Sequence, residues 1–193
     1  MESLLALDQQ LFLLLNHLPH TPFLDSLAQF FSGLGNAGLV WFAMGLWLIA
    51  KEEKRSHWLF MRLLTTGGMA WITQLVLKEL FRRPRPGVDI GAISVGVELA
   101  DFAFPSGHAM MAWAMATILA AKEPRWRWVF FALATLISFS RIYLGKHYPL
   151  DVLAGGLIGW GIGIIGIWLN STRGNFAQPP RIRKSPSRLK KIR

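Results

Sequence analysis

Five apolar runs, at residues 34–50, 58–78, 108–121, 128–145 and 150–169, are long enough or nearly long enough to cross a bilayer, and they restrict this 193-residue chain more than any other feature. The run from Ala109 to Ala121 is short by itself. A helix start at Pro105-Ser106-Gly107-His108 lengthens it by a turn, with Ser106 in the N-cap position. Residues 3–18 and 22–32 are apolar on one face and interrupted by Pro19 and Pro22, which suits helices lying in the interface; a tilted or re-entrant sixth element is the alternative. The predicted fold class is therefore all-α: a polytopic membrane helical bundle of about five to six transmembrane helices with N-terminal interfacial helices. Residues 1–172 form one membrane-embedded domain. Residues 173–193, rich in Arg, Lys, Pro and Ser, form a basic tail predicted to be disordered.

The chain is 52% hydrophobic yet carries a formal charge of +10, so its apolar and basic stretches are segregated. Trp58, Trp126, Trp128 and Trp168 fall near the ends of apolar runs, as interfacial aromatic belts require, whereas Trp113 and Trp160 lie deeper and read as packing residues. The absence of cysteine excludes a disulfide framework and a thiolate metal site. Residues 1–18 lack a basic n-region and carry Asp8, Gln9 and Gln10, which does not fit a cleavable signal peptide.

The distribution of cations sets a topology. Lys51, Lys54, Arg55 and Arg62, then Lys122, Arg125 and Arg127, and finally the tail with eight more all fall on one side of a five-span layout. The positive-inside rule makes that side, tail included, cytoplasmic. The opposite side receives Lys78, Arg82, Arg83, Arg85, Arg141 and Lys146. Topology does not call for these outer cations, and an anionic ligand accounts for them.

They fall in two of three clusters that face this side, each cluster with two readings. Lys78 and Arg85 flank a helix end enforced by Pro84 and Pro86, as an anion clamp or as a juxtamembrane basic run that contacts anionic headgroups. Pro105-Ser106-Gly107-His108 is an ordinary turn, or a helix start whose free N–H groups meet an anion beside His108. His147 and Asp151, four apart, share one helical face; there the carboxylate accepts the Nδ1 proton and leaves Nε2 nucleophilic, or Asp151 caps the helix beside an interfacial histidine. A hairpin through Leu144, Gly145 and Lys146 returns Arg141 to that imidazole. Gly155, Gly159 and Gly163 in the last span form a small-residue ridge for close helix packing.

Lys-x6-Arg-Pro, Pro-Ser-Gly-His and Ser-Arg-x5-His-x3-Asp, in this order and with these spacings, resemble the full signature of the type 2 phosphatidic acid phosphatase (PAP2) superfamily over residues 78–151. The resemblance implies a membrane lipid phosphatase. His147 would be the nucleophile that forms a phosphohistidine, Asp151 its orienter and His108 the acid for the leaving oxygen. Lys78, Arg85, Ser106, Gly107 and Arg141 would hold the phosphate. Three permanent cations and backbone donors neutralise a transferring phosphoryl group without a metal ion or other cofactor. Histidines in opposite protonation states would give a bell-shaped pH profile.

A site at the membrane boundary suits a lipid whose phosphate stays at headgroup depth. The expected partners are therefore the bilayer and a lipid phosphate: undecaprenyl diphosphate at the outer face of a bacterial cell membrane first, then phosphatidylglycerophosphate or phosphatidic acid. Arg82, Arg83 and Lys146 would serve a second phosphate or contact bulk lipid. A phosphotransferase uses the same residues, and a vanadate haloperoxidase shares them but lacks apolar spans. From another class, an anionic-lipid-binding membrane protein or channel subunit would tolerate loss of His147. The tail next to anionic lipid favours the inner leaflet over nucleic acid.

Overall fold

The computed structural model describes residues 2–51, 57–97 and 100–171, and every regular element among them is helical. In chain order these are α1 (Glu2–Asn16), α2 (Pro22–Leu34), α3 (Leu39–Lys51), α4 (His57–Phe81), α5 (Gly107–Lys122), α6 (Arg127–Tyr143) and α7 (Pro149–Ser171). Single turns of 3-10 helix at Asn36–Gly38, Val88–Ile90 and Pro124–Trp126 stand in the connections. The basic tail, with Lys54 and Arg55, lies outside the described residues.

Four of the five apolar runs match helices α4 to α7 within three residues at each end. The first differs. Residues 34–50 are not one straight element: α2 and α3 meet at Gly35–Gly38 with a bend of 62°, and Gly38 takes the left-handed φ of 72° that permits the turn. Among the described helices, α7 alone is long and apolar enough to cross a membrane, over Pro149–Leu169, and the bent α2–α3 pair meets the test together. With 16 and 17 residues, α5 and α6 fall short of the roughly 20 that a perpendicular span needs. Length and composition thus identify one crossing, or two with the bent pair, where the sequence predicts five to six.

The bundle is built around α5. Ala109, Met110, Ala112, Ala114, Met115, Ala116, Ile118 and Leu119 are all fully buried there, as expected for a helix apolar on every side. Its small residues admit α7 at backbone distance. A Cβ on Gly155 would lie 2.5 Å from Ser106 O, one on Gly159 2.1 Å from Met110 O, and one on Gly163 2.9 Å from Ala114 O. The α7 ridge is therefore a packing seam, in register with every fourth residue of α5. Trp41, Leu63, Met115, Leu119 and Ile137 close the core between α3, α4, α5 and α6.

Candidate active site

Lys78 lies in the last turn of α4, and Arg85 four residues past its end; Gly107 and His108 open α5, Arg141 lies in the last turn of α6, and His147 ends the α6–α7 hairpin. All six line one cavity of about 630 Å³. Phe42 of α3, Leu64 and Trp71 of α4 and Met111 of α5 form an apolar wall, and Gln74 and Asp101 add polar lining. Gly107 packs against Gln74, whose amide oxygen would lie 1.5 Å from a Cβ there, so a larger residue would displace that side chain.

The hairpin folds as the sequence implies. The N–H groups of Lys146 and His147 donate to Arg141 O at 2.9 and 3.2 Å, and Gly145 turns the chain with φ 72°. Arg141 is buried; its Nη1 donates to Ser32 Oγ, and its Nε has no hydrogen-bond partner.

His147 is 1% exposed. Its Nδ1 stands 2.8 Å from Ala103 O; a carbonyl only accepts, so Nδ1 carries the proton and Nε2 keeps its lone pair. Nε2 faces Arg85 Nη1 at 3.1 Å. Burial, reinforced by the charges of Arg85, Arg141 and Lys78, holds the imidazole pKa well below 6.5. The ring is thus neutral at ordinary pH, with its free nitrogen at the cation cluster.

Asp151 does not take the Nδ1 proton as the spacing suggested. Its Oδ2 is 3.8 Å from Nδ1 and accepts the Tyr148 N–H at 2.9 Å, while Oδ1 accepts Arg83 Nη1 at 2.6 Å. The four-residue rule holds only inside a helix, and α7 begins at Pro149, so His147 stands outside it. Asp151 instead caps the first turn of α7 in the manner of a capping box. It also holds the site together through Arg83, whose Nη2 donates to Asp8 of α1 at 2.6 Å. Asp8 Oδ1 in turn accepts the Leu150 N–H at 2.8 Å. Arg83 is therefore committed to two buried carboxylates and is not an extra phosphate cation.

Ser106 occupies the N-cap position of α5 without a side-chain capping bond. Its N–H donates to Asp151 O at 2.9 Å, and its hydroxyl is fully buried with no partner. His108 Nε2 lies 2.9 Å from Asn36 Oδ1, so the α2–α3 bend orients that ring. Lys146 Nζ donates to Ser94 Oγ at 2.8 Å, in a smaller cavity that shares Arg85 with the main one.

Sequence reasoning missed Asp101, the one carboxylate among the described residues that line the cavity. Its side chain accepts from Lys78 Nζ and from Arg85 Nη2, the latter at 2.6 Å, and its carbonyl accepts Arg85 Nε at 2.9 Å. Burial would raise its pKa, but the hydrogen bonds and charges of Lys78 and Arg85 outweigh that and hold it at about 2.

Comparison with known proteins follows this geometry. Residues 58–175 match the PAP2 superfamily. A stretch of 73 residues is 41% identical to the undecaprenyl-diphosphatase of Sulfolobus acidocaldarius; it spans 37% of this chain and only 35% of that relative's length. The lipid A 4'-phosphatase of Bacteroides thetaiotaomicron is 31% identical over 82% of this chain and 74% of its own. The crystal structure of a transmembrane PAP2 type phosphatidylglycerolphosphate phosphatase from Bacillus subtilis superposes with a TM-score of 0.75, covering 92% of this chain and 90% of that one. At 22% identity that likeness speaks of the fold alone.

Proposed function

The chain belongs to the PAP2 superfamily, and we propose that it is a multi-pass membrane lipid phosphatase that hydrolyses a lipid mono- or diphosphate at the outer face through a phosphohistidine, with undecaprenyl diphosphate as first choice. One observation supports the reading: three cations and two imidazoles share a cavity with an apolar wall of Phe42, Leu64, Trp71 and Met111. A phosphate among Lys78, Arg85 and Arg141 would leave its lipid tail against Phe42, Leu64, Trp71 and Met111. The relatives' names span undecaprenyl diphosphate and lipid A phosphate, so the substrate is chosen here on chemistry. Lys146, beside Arg85, supports a diphosphate; Arg83 no longer does.

In the first step His147 Nε2 attacks phosphorus, the bond to the leaving oxygen breaks, and His108 gives that oxygen a proton. In the second, water attacks the phosphohistidine, its proton passes to His108, and phosphate leaves with Nε2 restored. Nδ1–H stays on Ala103 O throughout, which keeps Nε2 aimed. The Arg85 guanidinium shifts from Nε2 to a phosphate oxygen. The partnerless hydroxyl of Ser106 and the Gly107 N–H supply neutral donors, each oxyanion contact being worth about 3 kcal/mol.

The test is phosphate release by the purified chain in neutral detergent from undecaprenyl diphosphate, phosphatidylglycerophosphate, phosphatidic acid and a lipid A phosphate. At least one should be turned over, with acid-labile phosphate trapped on His147 in a rapid quench. No release from any of the four, or equal release by His147→Ala, overturns the reading.

A further inference from the structure

The Asp101 carboxylate occupies the two cations that the proposed function assigns to phosphate. It spans Lys78 and Arg85 with one oxygen on each, and its side chain is 53% exposed at the cavity edge. Its backbone is held apart from the carboxylate: the Ala103 N–H donates to Arg83 O at 2.8 Å, and Arg85 Nε, a different nitrogen from the one on the carboxylate, donates to the Asp101 carbonyl. Rotation of this short side chain toward solvent would therefore free both cations without moving the loop.

We propose that Asp101 is the resident anion of the phosphate site: it yields Lys78 and Arg85 to the incoming phosphate and reclaims them when inorganic phosphate leaves. The inference rests on the proposed function only in taking these two cations as phosphate ligands. Three cations in a cavity with one carboxylate among the described residues would otherwise repel one another in the empty site and hold the product dianion tightly. A tethered carboxylate limits both effects, because it competes at an effective concentration that no dissolved anion matches. It weakens substrate and product binding alike, and its benefit falls on turnover, since a product held by three cations leaves slowly.

The sign of one measurement decides the matter. Calorimetric titration of the full chain in neutral detergent with inorganic phosphate should show Asp101→Asn binding at least about tenfold tighter than wild type, a gain of about 1.4 kcal/mol. Asp101→Glu should stay near the wild-type affinity. Unchanged or weaker phosphate binding by Asp101→Asn overturns the proposal, because a side chain that only shapes the site or helps hold phosphate would lose affinity on substitution. If Asp101→Asn needs phosphate to stay folded, its unfolding midpoint must rise more steeply with phosphate than the wild type's, and a shallower or equal rise overturns it as well. Neither readout requires turnover. A chain that hydrolyses none of the four lipids but shows the affinity gain loses the proposed function and keeps this inference; the converse result separates them the other way.

Discussion

Gly159→Ala tests the seam that holds α7 on α5. The added Cβ would lie 2.1 Å from Met110 O, 2.8 Å from its carbonyl carbon and 2.9 Å from its Cα. All three are backbone atoms, so no rotamer can make room. To restore separations of about 3.5 Å, α7 must retreat by more than about 1 Å. Overpacking of this kind costs about 1–3 kcal/mol, partly offset by the gain of about 1 kcal/mol from replacing helical Gly with Ala. Gly161→Ala is the matched control, since nothing lies within 4 Å of its Cβ position. The propensity gain is common to both variants and cancels, so their difference in stability is the overpacking cost alone, about 1–3 kcal/mol. Unfolding in mixed micelles of increasing sodium dodecyl sulfate fraction measures it. Activity should follow, because the same retreat strains the bond from Ser106 N–H to Asp151 O, and a displacement of about 1 Å at a reacting centre costs about 10²-fold. Equal midpoints and equal turnover for the two variants would refute the seam as the element that positions the site.

His147→Ala should lower turnover by about 10⁴-fold or more while phosphate still binds, as phosphate release and calorimetry together would show. Arg83→Met strands the buried carboxylates of Asp8 and Asp151 and should destabilise the fold by about 3–5 kcal/mol; Asp8→Asn in the same chain should recover part of that, and a stable Arg83→Met protein would contradict the bridge. Asn36→Ala should reduce kcat by about tenfold with little change in phosphate affinity, since it frees His108 without touching a cation. As to pH, His147 titrates below 6.5 when folded, so its contribution to stability is full above about 6.5 and falls as the medium is acidified; that of Asp101 is full above 3.8 and is lost toward about 2. Both lower the unfolding midpoint on acidification, and a midpoint that rises between pH 7 and 5 would contradict the burial of a neutral His147.

Much of this was readable in residue order because apolar length and turn punctuation set helix ends locally. Pro84 and Pro86 stop α4, Gly145 allows the hairpin, and Pro149 starts α7. The three clusters fell at helix ends for that reason, and helix packing brought them to one cavity. What escaped the sequence depends on contacts far apart along it. Nothing near Asp101 marks it as the partner of Lys78, 23 positions earlier, and Asp8 looks like one polar residue on an amphipathic helix. Gly35, Asn36 and Gly38 mark the bend at residues 35–38 inside an apolar run, but nothing local pairs Asn36 with His108. The His147–Asp151 spacing misled because periodicity was applied across a helix boundary, where the chain had already turned Nδ1 toward Ala103.

The bridge through Arg83 joins α1 to α7, helices more than 130 positions apart. Asp8 receives the Leu150 N–H across 142 positions, so the cavity's supporting bridge cannot be completed until residue 151 has been synthesised. Assembly of this protein therefore ends with a long-range closure that a nascent chain stalled before residue 150 cannot make. Such a chain would bear Lys78, Arg85, Arg141 and His147 without the carboxylate bridge that holds the α6–α7 hairpin.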